Sequence, residues 1–221
     1  MRSALVEALS GSDTELFEQA RSLTLLSGER LCVAGERDLG VCLVRSGMLK
    51  LVGNSASGRE SIICLAFPGE IIGEVAAFDG RPQPLDVVAA TRSEVVAIPS
   101  QALVRALLEV PGAAVAAGAL MARRSRWMCD TAVERNIRYA PARLAGRLLG
   151  LAQHCGVEIG EPIEICLPLA QSDIGKLAGM CRESACRALK SFQEAGAIDY
   201  RRSQLSILNP QVLEQFRSTD K

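Results

Sequence analysis

The chain has 221 residues, with 25 Lys and Arg balancing 25 Asp and Glu. Zero net charge excludes a wholly basic nucleic-acid coat, so any DNA affinity must come from a local patch. Hydrophobic residues make up 48% and aromatics only 4%, enough for one large or two smaller domains with aliphatic cores.

Residues 3–26 read as amphipathic helix, with Leu5, Leu9, Leu16 and Phe17 on one side. Gly11-Ser12-Asp13 breaks the run, and Ser12 or Asp13 suits the cap of a second short helix. From Arg30 to Pro99 short apolar runs recur between Gly-rich turns. Many short strands with regular turn signals predict an all-β barrel or jelly roll. Within it, Gly73-Glu74 opens a helical turn whose backbone N–H groups would suit a phosphate or ribose ligand. A plain barrel lid is the simpler alternative.

SQALVRALLEV predicts a helix ending before Pro111, and Pro111 starts another. A helix over 111–137 would be roughly 40 Å long. Ala114, Gly118, Met121, Ser125, Met128 and Ala132 follow 4-3 spacing along it. Such a seam predicts a homodimer, the alternative being a connector along the barrel surface. Some of Trp127, Met128 and Cys129 are expected to face the barrel. Asn136–Tyr139 interrupts the pattern and is the predicted hinge. Residues 141–154 form an amphipathic helix with Leu144, Leu148 and Leu151 inward, and residues 161–167 a short strand.

QSDIGKLAGMCRESACRALKSFQEA, residues 171–195, reads as two helices joined by a sharp turn at Gly179. In the second helix Ala185, Leu189 and Phe192 make an apolar stripe, and Glu183, Arg187 and Lys190 lie opposite. Gly175 leaves room for a close crossing. This is the layout of a helix-turn-helix whose second helix reads bases in the major groove. A helical hairpin with a solvated charged face is the plainer reading. Beyond the expected C-cap position at Gly196, IDYRRSQLSIL predicts a hairpin, or wing, and Asn209 or Pro210 starts a last helix.

Membrane, metal and catalytic readings are excluded on composition and spacing. No run reaches the ~18 apolar residues of a membrane span. The first residues are too short and polar for a signal peptide, so a soluble cytoplasmic protein is expected. The eight Cys (32, 42, 64, 129, 155, 166, 181 and 186) contain no CxxC pair. They read as reduced, mostly buried small hydrophobes, Cys129 among them. His154 is the single His, and neither a metal cluster nor a catalytic set is present, so no cofactor and no enzyme activity are expected.

The element order resembles the CRP/FNR family, the cyclic-AMP receptor protein and fumarate–nitrate regulator superfamily of bacterial transcription factors. DIGKLAGMCRESACRALKSFQEAGAI (173–198), PGEIIGEVAAF (68–78) and MARRSRWMCD (121–130) carry the resemblance. It implies an α+β chain. A cyclic-nucleotide-binding-like β-roll would span 1–110, a dimerisation helix with hinge 111–138, and a winged helix-turn-helix 139–221. Arg182, Glu183 and Arg187 stand where the family places base-reading Arg, Glu and Arg, and the half-site would be TGTGA-like. Arg forks to guanine and Glu accepts from cytosine. Ser184, Gln171, Ser172, Lys190, Arg201 and Arg202 would complete the DNA surface, mostly on phosphates. Ala170 replaces the usual Thr or Ser cap of the first helix, a loss of about 1 kcal/mol.

The effector site departs from the family pattern. Gly73 and Glu74 match the ribose-binding pair of cyclic-AMP binders. Pro84-Leu85 stands where those proteins carry a phosphate-binding Arg-Ser, and Met128-Cys129 where they carry an adenine-contacting Thr-Ser. Arg81 lies three residues upstream of Pro84. A cyclic phosphate buried against Leu85 without a cation is disfavoured, so the effector is not expected to be cyclic AMP. An apolar ligand against Leu85, Met128 and Cys129, a nucleotide bound elsewhere, or no ligand all stay open. Double-stranded DNA, a second copy of the chain and RNA polymerase are the implied partners, the last through the loop before Glu161 or the turn Gly53–Glu60. The competing class is a cyclic-nucleotide- or redox-responsive module acting through protein contacts rather than DNA.

Overall fold

The fold was analysed in a computed structural model, which describes Leu5 and residues 19–37, 39–154 and 163–219, without the side chains of 154 and 163–166. The stretch of recurrent apolar runs from Arg30 to Pro99 holds β2 (Arg30–Cys32), β3 (Val41–Ser46), β4 (Leu49–Asn54), β5 (Glu60–Ala66), β6 (Ile71–Ile72), β7 (Asp86–Ala89) and β8 (Ser93–Ile98), and β1 (Arg21–Leu25) precedes them. They form two four-stranded antiparallel sheets, ordered β1-β8-β3-β6 and β2-β7-β4-β5. The predicted roll is therefore present, built from aliphatic side chains such as Val41, Ile62, Leu65 and Val95.

The predicted helix over 3–26 fails at its end. Arg21–Leu25 is a strand paired with β8, from Arg21 opposite Ala97 to Leu25 opposite Ser93. Pairing with a neighbouring strand overrides a weak helical periodicity. Leu5 is helical and buried with Val41, Ile71, Val96 and Leu103. Leu9, the Gly11-Ser12-Asp13 break, Leu16 and Phe17 lie outside the described residues.

A short helix, α1 (Glu74–Asp79), sits between β6 and β7, as the Gly73-Glu74 turn predicts. Gly73 itself has φ 91°, and a Cβ there would meet the Gly40 carbonyl oxygen at 2.3 Å. Only glycine meets both demands. Helices α2 (Ser100–Glu109) and α3 (Pro111–Glu134) follow and meet at a bend of 120°. No single described helix is long and apolar enough to cross a membrane.

Helix α3 has one buried stripe with 4-3 spacing: Ala113, Ala117, Leu120, Arg124, Trp127, Thr131 and Glu134. The chain divides into two compact units within this helix, Met1–Arg124 and Ser125–Lys221. In the first unit Ala113, Ala117 and Leu120 join the core of Val41, Ile71 and Val96. Arg124 pairs with the buried Glu74 carboxylate, donates to the Ile71 carbonyl at 3.0 Å and lies 3.9 Å from Glu70. Burial alone would lower the Arg124 pKa, but the Glu74 carboxylate reverses this and the guanidinium stays above its ordinary value.

In the second unit, α4 (Ala140–His154) packs against α6 (Arg182–Glu194) and α7 (Pro210–Arg217), and Leu144, Leu148 and Leu151 point inward as predicted. Of Trp127, Met128 and Cys129, some of which were expected to face the barrel, Trp127 packs beneath Arg147 of α4, whose guanidinium carbon lies 4.2 Å from the ring centroid. The predicted strand of 161–167 is β9 (Ile163–Pro168), and residues 161 and 162 lie outside the described residues, as does the loop before Glu161. β9, β10 (Ile198–Arg201) and β11 (Gln204–Ile207) make a three-stranded sheet in the order β10-β11-β9. Asn209 caps α7 by accepting from the N–H groups of Gln211 and Val212 at 3.1 and 3.2 Å. Phe192 and Phe216 meet edge to face, 4.7 Å between centroids.

Among the described cysteines, Cys32, Cys42 and Cys64 are buried, and burial pushes the Cys32 thiol up to about 11 and Cys42 up to about 12. These are inert core hydrophobes, as expected. Cys129 and Cys181 are exposed and Cys186 half-buried. Cys129 departs from its predicted buried role because it lies off the buried stripe of α3.

Arg124→Met leaves the Glu74 carboxylate buried without its cation, which costs about 3–5 kcal/mol. Thermal denaturation should show a clear fall in midpoint, largely recovered in the E74Q/R124M double variant. A single variant as stable as wild type would disprove the pairing.

Candidate nucleic-acid interface

Two helices in the second unit build the interface. α5 (Gln171–Leu177) ends at Ala178, and Gly179 with φ 63° turns the chain into α6. The crossing is close, as Gly175 predicts. A Cβ there would lie 3.1 Å from the Met180 carbonyl oxygen and 3.6 Å from the Ala185 Cβ. Ala185, Ala188, Leu189 and Phe192 bury one face of α6. Arg182, Glu183, Arg187 and Lys190 are exposed, and Ser184 is half-buried. The 3.6-residue period separates these faces, and core burial orients the charged one outward.

Local contacts set the free-state positions of these side chains. Arg187 Nη2 donates to Ser184 Oγ at 3.4 Å, and the Cys181 sulfur lies 3.2 Å from the same oxygen. Glu183 lies in the first turn of α6, where a hydrogen bond from its own backbone N–H holds its carboxyl below the usual carboxylate range. Lys190 Nζ is 3.7 Å from Glu194. Ser172 is exposed, whereas Gln171 is half-buried and accepts from the Cys186 thiol at 3.0 Å. Neither α5 nor α6 has a side-chain cap bond, Ala170 and Cys181 being the cap residues. For α5 this follows the predicted departure at Ala170.

The wing turns at Arg202 and Ser203, with φ 50° and 62°. Two successive left-handed residues give the turn whose twist matches a two-residue hairpin. Arg201 is exposed and its Nε lies 3.0 Å from Asp199 Oδ1. Tyr200 anchors the wing by donating to the Leu169 carbonyl at 2.9 Å.

Arg143 and Arg147 were missing from the sequence reading. Arg143 Nε donates to the Ala178 carbonyl at 2.7 Å, and its Nη1 to the Ile137 carbonyl at 2.6 Å. It thus ties the end of α5 to the segment after α3. Nothing in an Arg on an amphipathic helix signals this role, because the acceptors are backbone carbonyls.

The predicted effector residues are divided between the two units, Gly73, Glu74, Arg81 and Leu85 in the first and Met128 and Cys129 in the second. Glu74 is engaged by Arg124 inside the roll. Arg81 is exposed, its backbone N–H bonded to Asp79 at 2.9 Å. Leu85 lies over Gly53 beside Ile63; a Cβ on Gly53 would meet both side chains at 3.4 Å. Met128 and Cys129 are exposed in the second unit, so within neither unit do they join Leu85 in the predicted apolar pocket. No cluster of His, Cys, Asp or Glu able to hold a metal occurs among the described residues.

Residues 23–109 match the model of the cyclic nucleotide-binding domain, and residues 142–216 that of the Crp-like helix-turn-helix domain. The chain is 26% identical over 183 residues to a CRP-like cAMP-activated global transcriptional regulator of Mycobacterium tuberculosis, covering 83% of this chain and 82% of the relative. FixK2 from Bradyrhizobium japonicum has the same fold, with TM-score 0.73 at 22% identity over 89% of this chain and 96% of that one. So does a CooA mutant from Carboxydothermus hydrogenoformans, with TM-score 0.78 at 17% identity over 96% and 95%. With both modules in this order and a cationic recognition helix turned outward, the chain belongs to the CRP/FNR family of DNA-binding transcription regulators.

Proposed function

We propose that the chain acts as a homodimer reading a TGTGA-like palindrome, with an effector other than cyclic AMP. The exposure of Arg182, Glu183 and Arg187 on the first turns of α6, opposite its buried face, carries the reading. Arg182 and Arg187 would take guanine edges and Glu183 a cytosine amine. Ser184, Gln171, Ser172, Lys190, Arg201 and Arg202 would hold phosphates and fix the register. The Lys190–Glu194 and Arg201–Asp199 pairs are exposed, so exchanging each carboxylate for a phosphate costs little.

The dimer reading rests on the second stripe of α3. Ala114, Gly118, Ser125, Met128 and Ala132 are exposed and Met121 half-buried, each one residue beyond a position of the buried stripe. Small residues at 4-3 spacing let a second helix approach closely. Two copies would present their recognition helices to half-sites one helical turn, roughly 34 Å, apart. RNA polymerase would be the partner through which the bound dimer acts.

The Mycobacterium relative is described as cAMP-activated. Here Leu85, which stands where the resemblance places a phosphate-binding Ser, packs beside Ile63, and Glu74 is already paired with Arg124. A cyclic phosphate would lose its hydration without gaining a cation.

Gel shift on a TGTGA palindrome should show wild-type binding and a loss of about 1–3 kcal/mol, roughly fivefold to 150-fold, for Arg182→Ala. Equal binding by both would remove the base-reading role. Isothermal titration with cyclic AMP should give no micromolar signal; a micromolar or tighter one sinks the effector reading. Met121→Lys should yield a monomer by light scattering that no longer protects a full palindrome, and a variant still dimeric and footprinting would refute the seam.

A further inference from the structure

Trp127, Thr131 and Glu134 are the last three positions of the α3 buried stripe, and all three meet a single side chain of α4. Arg147 is only 2% exposed. Its guanidinium stacks on Trp127 at 4.2 Å, its Nη1 donates to Thr131 Oγ1, and the same nitrogen lies 3.7 Å from Glu134 Oε2. The backbone of α4 is shaped to this contact. A Cβ on Gly146 would lie 2.7 Å from Glu134 Oε1, and one on Gly150 3.6 Å from the Trp127 ring.

The segment between the helices is held on both sides. The N–H groups of Arg135, Asn136 and Ile137 bond back to the carbonyls of Thr131, Val133 and Glu134 at 3.0–3.1 Å. The Ile137 carbonyl accepts from Arg143, which also holds the Ala178 carbonyl beside the helix-turn-helix turn. Arg143 and Arg147 are one helical turn apart on α4. One reaches towards the recognition helix, the other towards α3.

We propose that Glu134 and Arg147 are positioning residues: a buried clasp that makes the last turns of α3 part of the DNA-reading unit. The segment 135–139 then transmits rotation rather than absorbing it, and Asn136–Tyr139 is not a free hinge. A buried Arg–Glu pair adds little net stability over an apolar pair of similar volume, so geometric registry is the property it contributes. In the dimer put forward above, on which this part of the inference rests, the clasp fixes the angle at which each recognition helix leaves α3, and with it the accepted half-site spacing.

The test uses the full chain and an E134Q/R147M variant, which removes both charges and leaves neither orphaned. Amide hydrogen exchange needs no DNA. Amides 135–137 should exchange about tenfold faster in the variant, while those of α6 keep their wild-type protection. Unchanged exchange at 135–137, or an equal rise in α6, overturns the clasp. Gly146→Ala displaces the Glu134 carboxylate without removing a charge and should shift exchange in the same direction, which guards against misfolding of the double variant. On palindromes differing by one or two base pairs in spacing, the variant should lose about tenfold of the wild-type preference while its single half-site affinity holds. An unchanged preference also overturns it. A wild type that binds no palindrome removes the proposed DNA reading instead, and the exchange result then decides the clasp alone.

Discussion

A single stripe on α3 carries both halves of the molecule. Its positions change chemical character along the helix, from Ala113, Ala117 and Leu120 to Arg124, and then from Trp127 and Thr131 to Glu134. The aliphatic part completes the core of the roll. The polar part places one charge against each unit: Arg124 against Glu74 in the first, Glu134 against Arg147 in the second. Apolar burial is non-directional and tolerates sliding. A buried ion pair does not, since a small displacement leaves charges without partners in a poor solvent. The two pairs therefore give the helix a defined register in each unit, which a purely aliphatic stripe would specify less sharply.

The electrostatic design of the DNA face follows from overall neutrality. With no overall surplus of cations, a local group of them is needed, and Arg182, Arg187, Lys190, Arg201 and Arg202 are exposed on α6 and the wing. Several of these charges already have anionic neighbours, as Lys190 and Arg201 show. Exposed pairs of this kind are weak and screened by salt.

Within the first unit, Gly73, Glu74 and Leu85 all take part in the packing of the roll. Gly73 is required by a left-handed backbone and by the nearby Gly40 carbonyl, whatever binds there. Glu74 is spent on Arg124, and Leu85 lies against the sheet beside Ile63. Residues that could contact a sugar and a phosphate in a nucleotide binder here contribute a salt bridge and an aliphatic wall.

Much of this was legible in the residues. Regularly spaced turns and short apolar runs implied the roll, and two-faced periodicity with Gly175 and Gly179 implied the helix-turn-helix, because period and turn chemistry are local properties. The exposed Arg182, Glu183 and Arg187 followed from the same periodicity. What escaped was non-local. The strand at Arg21–Leu25 exists because β8 lies beside it. Trp127 faces α4 because Gly146 and Gly150 leave space there. Glu74, Glu134, Arg143 and Arg147 acquired their roles from partners between 6 and 50 residues away. By itself the sequence determined which elements form and which faces of them are apolar, since those depend on spacing along the chain. Tertiary structure alone decided which buried charges meet, because a charge is defined by its neighbours in space and the sequence holds no record of that distance.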